Sequence, residues 1–87
     1  MIIMGFILDS LMLSHEVKEI LNDFDNTSID RIVEILTRIR HHLKSDITQN
    51  YLQGKIQGIL SVNNVAEKRK LCENLKPYLD WYLQGNN

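Results

Sequence analysis

The sequence predicts an all-α fold: a compact bundle of four or five helices forming one domain over residues 1–87. Three observations predict it. Apolar residues recur at three- and four-residue spacing along most of the chain, as helices with one buried face require. No alternating apolar–polar run marks a strand. Four Gly and one Pro leave little chain for long loops. Apolar residues make up 44% of the 87 residues, too many for a disordered chain. A chain of this length buries roughly 60–65% of its unfolded surface, so its stability is modest.

The chain opens with MIIMGFIL, seven apolar residues of eight. It has no basic n-region and no small-residue cleavage site, so it does not read as a signal peptide. A bilayer span needs about 20 residues. The expectation is a buried first helix, with a partner or dimer contact as the alternative. Met4 is an alternative start. Leu13, Val17, Ile20, Leu21 and Phe24 share one helical face. Ser14 is a candidate cap that would split this segment from a turn at 2–13; the other reading is one continuous helix. DFDNTS then breaks it.

In the second helix Thr27 is the expected cap, with Asp30 three residues on. Ile29, Ile32, Val33, Leu36, Ile39 and Leu43 form its stripe. Ser45 or Asp46 caps a third helix carrying Ile47, Tyr51, Leu52, Ile56, Ile59 and Leu60. Gly54 and Gly58, four apart, suggest that a neighbour crosses closely there. SVNN is a turn. Asn64 with Glu67 signals a fourth helix using Val65, Leu71, Cys72, Leu75, Tyr78, Leu79 and Tyr82. Pro77 lies inside that pattern and should kink it or start a new helix near Lys76. Gly85 is a natural stop.

Several functions are disfavoured by the residues. A lone cysteine, Cys72, precludes an internal disulfide and suits a reducing compartment, so a cytoplasmic location is expected. There is no Gly-rich phosphate loop and no nucleophile–base–orienter set, so neither an enzyme nor a cofactor is expected. His41 and His42 are adjacent and diverge by about 100° on a helix, so they cannot chelate one ion together; no metal is expected.

TRIRHHLKSD, residues 37–46, is the stretch that looks most like chemistry. With Ile32 at 0° the apolar stripe lies near 20°, His41 at about 180° and His42 at the boundary. Arg40, His41, His42 and Lys44 then close the second helix, where cations offset the partial negative charge of the last carbonyls by about 0.3–1 kcal/mol each. His41-His42-Leu43-Lys44-Ser45 also resembles the H-x-L-K-G-S pattern of histidine phosphotransfer (HPt) domains. That resemblance implies a phosphorelay carrier with His41 as acceptor and Lys44 beside the phosphoryl group. Ser45 stands where the family has glycine, and the helix ends just after the match.

Net charge is −1, but its distribution is uneven. Residues 1–34 hold Asp9, Glu16, Glu19, Asp23, Asp25, Asp30 and Glu34 against Lys18 and Arg31, giving −5. Residues 35–87 hold eight Lys and Arg against four Asp and Glu, giving +4. If the first two helices pair as a hairpin, Glu16, Glu19, Asp23, Asp25, Asp30 and Glu34 gather toward its connection end. Such a cluster steers a basic partner. EKRK at 67–70 is too short, and lacks the stacking aromatics, to read as a nucleic-acid site.

The leading expectation is therefore a protein-binding module without catalysis. In type it resembles immunity proteins, antitoxins and phage-encoded inhibitors that plug a basic surface such as a nuclease toxin's. The alternatives are the HPt-like carrier and a homodimeric regulatory bundle using the apolar N-terminus.

Overall fold

Capping and turn chemistry cut the chain where short-range rules say they should. The computed structural model describes the backbone of residues 2–85 and the side chains of residues 12–84. Among these are five α-helices: α1 (Ile2–Asn22), α2 (Ile29–Arg40), α3 (Asp46–Ser61), α4 (Val65–Glu73) and α5 (Lys76–Gly85). A 3-10 turn, Phe24–Asn26, joins α1 to α2. No strand occurs among the described residues. The helix α1 runs through Ser14 without a break. The expectations for segment 1–8, burial or a dimer contact, concern side chains outside the described residues.

Ser28, not Thr27, caps α2: its hydroxyl oxygen accepts from the Arg31 amide at 3.2 Å. The Thr27 hydroxyl is engaged elsewhere, donating to the Asp23 carbonyl at 2.8 Å and closing the 3-10 turn. Ser45 caps α3 through the amides of Ile47 and Thr48. Asn64 Oδ1 caps α4 through the Glu67 amide at 3.0 Å. After Glu73 the chain turns at Asn74 and Leu75, and α5 starts at Lys76 with Pro77 in its first turn, where a missing N–H costs nothing.

The buried set is Leu13, Val17, Ile20 and Phe24 from the α1 segment, Ile32, Ile35, Leu36 and Ile39 from α2, Leu52, Ile56 and Ile59 from α3, and Leu43, Cys72, Leu75, Leu79 and Tyr82. Helix α2 is the hub, packing on α1, α3, α4 and α5. Its stripe is wider than expected because Ile35 is also buried. A hub touched on several sides needs more than one apolar row.

Helix α3 corrects the sequence reading most. Ile47 is 82% exposed, and Tyr51 and Leu60 are also exposed. Only Leu52, Ile56 and Ile59 face inward. Val65 at the start of α4 is exposed too. Gly54 and Gly58 mark no close crossing: a side chain at either would meet nothing within 4 Å. They lie about 200–240° from the Leu52 direction on a 3.6-residue wheel, on the outward face.

Cys72 is buried, and that burial raises its thiol above the ordinary value of 9.0, with Arg69 and then Lys68 pulling the other way. The folded chain thus holds the thiol proton more tightly than the unfolded chain does. The associated stability is fully present below the ordinary thiol range and is lost as pH rises through the raised value. Native protein should therefore react slowly with a thiol reagent at pH 8 and fast once unfolded in urea. Equal rates in both states would show Cys72 to be accessible and its part of the core misplaced.

Candidate functional site

The hairpin of α1 and α2 is antiparallel, and ion pairs between its helices fix the register. Glu16 Oε2 accepts from Arg38 Nη1 at 3.0 Å. Glu19 Oε1 lies 3.7 Å from Arg31 Nη2 and 3.3 Å from His15 Nε2. Such partly exposed pairs contribute about 0–1 kcal/mol each. Their consequence for function is larger than their energy. Two of the six predicted carboxylates are already matched by cations from the neighbouring helix.

Asp23, Asp25 and Asp30 lie nearer the connection, and Glu34 sits one turn beyond Asp30 on α2. Asp23 Oδ1 accepts from Asn26 Nδ2 at 2.8 Å. Asp25 sits in the 3-10 turn and Asp30 in the first turn of α2; both are exposed, as is Glu34. Asp25, Asp30 and Glu34 make no hydrogen bond or ion pair with the described residues.

Basic groups from α4 and α5 close in on the same corner. Arg69 Nη1 donates to the Phe24 carbonyl at 3.0 Å. Lys76 Nζ lies 4.4 Å from the Phe24 ring centroid. Ser28, Asp30, Val65, Lys68 and Arg69 share a shallow depression of about 260 Å³. The −5/+4 split along the sequence is thus not a split in space. The acidic surface is bounded on its α4 side by cations.

The histidine stretch ends a helix. His41 is the C-cap of α2; its amide donates to the Arg38 carbonyl at 3.3 Å, and the His42 amide donates to the Ile39 carbonyl at 2.8 Å. The His41 side chain is exposed, as expected. The chain has left the helix by Leu43, so Lys44 is not one turn along a helix from His41, as the HPt pattern has it. The His42 ring meets Tyr82 edge-on, with centroids 5.1 Å apart and planes at 69°. Gln49 Nε2 holds the Leu43 carbonyl at 2.6 Å and so fixes the α2–α3 loop. Arg38 and Arg40 occupy the last turn of α2, where the helix dipole favours cations.

A second surface was missed in the sequence. Three adjoining depressions run between α3 and α5, with volumes of about 400, 240 and 400 Å³. Tyr51, Tyr78 and Trp81 line them. Two of these were assigned to the core by periodicity. Tyr78 is half-buried against that core, whereas Tyr51 is exposed, which the wheel alone could not give. Tyr51 and Tyr78 line the same depression, and burial, and secondarily the Tyr51 phenol, raises the Tyr78 hydroxyl above its ordinary value.

Among the described residues no group of three or more His, Cys, Asp or Glu side chains is placed to hold a metal ion. No helix among them is long and apolar enough to cross a membrane. The chain matches no protein-family model, no curated protein and no solved structure.

Proposed function

We propose that the chain is a protein-binding module without catalysis, docking the connection end of its α1–α2 hairpin on a partner with a basic surface. The mode is that of an immunity protein, antitoxin or phage-type inhibitor that covers a nuclease toxin. One observation carries this reading: Asp25, Asp30 and Glu34 are exposed and unmatched within the described fold, whereas Glu16 and Glu19 hold α1 to α2. Carboxylates that make no internal ion pair can meet an external cation, and like potentials repel wrong partners. Val65, 66% exposed beside Asp30, adds an apolar contact, the kind that supplies most binding energy.

The test is affinity capture from the native host's lysate at low salt. Wild-type chain should retain a basic protein that elutes as salt rises, because exposed charges are screened over about 10 Å at 0.1 M. The triple variant Asp25→Lys, Asp30→Lys, Glu34→Lys should lose that protein. Loss of steering alone slows association about ten-fold or more. All three positions lie off the apolar stripes, so circular dichroism should show the fold retained. A triple variant that holds the partner as well as wild type would put the docking surface elsewhere.

A further inference from the structure

We propose that the groove between α3 and α5 is a second docking site, separate from the acidic end, and that it takes an acidic amphipathic helix from another protein. The lining carries the argument. From the N-cap of α3 along the helix the groove wall reads Ser45, Thr48, Tyr51, Lys55, a three- and four-residue spacing that forms one row. On α5 the facing wall is Pro77, Tyr78 and Trp81. Leu43, Leu71 and Leu75 line its base. The three depressions are continuous: Pro77 and Tyr78 line the first two, and Leu43, Thr48 and Trp81 the second two.

The walls stay apart because each helix is anchored to α2, not because something described fills the gap. Tyr51 is 58% and Trp81 40% exposed. Large aromatics left at a recess, over an aliphatic base, are what an incoming apolar side chain meets in a binding hot spot.

Charge selects the partner. Lys44 lies at one end of the groove and Lys55 at the other. No Asp or Glu lines any of the three depressions, in a chain whose net charge is −1. Asp46 and Asp80, next in sequence to lining residues, line none of them. Lys55 Nζ sits 5.3 Å from the Tyr51 ring centroid and makes no ion pair with the described residues. Both ammonium groups are therefore available to carboxylates at the two ends of a bound segment.

Geometry selects a helix. A strand-adding peptide finds no strand edge among the described residues to pair with. A helix satisfies its own N–H and C=O groups internally. From Ser45 to Lys55 the wall runs about 15 Å, nearly three helical turns. That length accommodates anchors at i, i+3/i+4 and i+7, with acidic residues flanking them.

Trp81 is the single tryptophan of the chain, so its emission reads the groove directly. The probe is a capped 14-residue helical peptide with Leu and Phe at i, i+3, i+4 and i+7 and Glu at the flanking positions. Titrated into the full chain, it should shift Trp81 emission to the blue, saturably and with half-saturation below about 1 mM. Lys44→Glu and Lys55→Glu together should weaken it by about ten-fold or more, and Tyr51→Ala similarly. All three positions are exposed, and unchanged melting curves will show that folding is intact. The acidic-end triple variant should bind the peptide as wild type does, which separates this site from the one proposed above. Four outcomes overturn the proposal. One is no saturable shift; another is equal binding of a peptide with Lys in place of Glu. A third is binding of oligo-uridylate in preference to the peptide, which would make the aromatics a base-stacking platform. The last is a blue shift that grows with chain concentration alone, together with a doubled mass on sizing, which would assign the groove to a second copy.

Discussion

Leu36→Ala should lower the free energy of unfolding by about 2–5 kcal/mol. Leu36 is fully buried on α2, the helix that touches the other four. Removing three carbons there leaves a void bordered by several helices, and a hub cannot collapse toward one neighbour without leaving another. For a chain of this length total stability is on the order of 4–13 kcal/mol. The loss is therefore from about a sixth to the whole of what holds the fold, and it should appear as a large drop in the midpoint of thermal or urea unfolding. A melt unchanged by this substitution would mean that the α2 stripe faces another way.

Tyr82→Ala should cost about 3–5 kcal/mol, as truncation of a large buried aromatic does. Tyr82 is the largest fully buried side chain, at 0% exposure, and its ring is met edge-on by His42. It belongs to α5, which forms only because the chain turns at Asn74 and Leu75 and restarts ahead of Pro77. The substitution thus asks whether the last helix closes the core or merely rests on it. Urea unfolding followed by helical circular dichroism gives the answer. A loss under about 1 kcal/mol, the range of a surface change, would detach α5 from the account.

Helix boundaries were legible in the sequence because caps act over three or four residues. Ser45, Asn64 and Pro77 each do locally what their chemistry predicts. The cap of α2 shifted by one residue because Thr27 and Ser28 offer the same hydroxyl, and only the 3-10 turn decides between them. The buried face of α2 was legible in the same way, since its polar and apolar residues separate cleanly round the wheel.

Helix α3 was not, for a physical reason. It carries apolar residues on both flanks of its core face. Ile47 and Tyr51 lie about 100–140° to one side of Leu52, and Leu60 about 80° to the other. Periodicity says that a face exists, and only the neighbouring helices say which one is covered. The exposed flank became one wall of the groove. The candidate acidic site was half legible. That Glu16 and Glu19 share a helix flank follows from spacing. That Arg38 and Arg31 reach them across the hairpin, and that Arg69 and Lys76 arrive from 45 to 52 residues away to crowd Phe24, follows from packing that no local pattern encodes.

In the proposed mode the partner docks on the acidic end of the hairpin. Amide chemical-shift mapping tests it most directly: the labelled chain is titrated with the basic protein captured from the host, and the shifted residues are placed on the fold. Perturbations should concentrate at residues 23–34 and at Val65 and diminish as salt is raised. Perturbations concentrated instead at residues 44–55 and 77–81, with residues 23–34 unmoved, would contradict it.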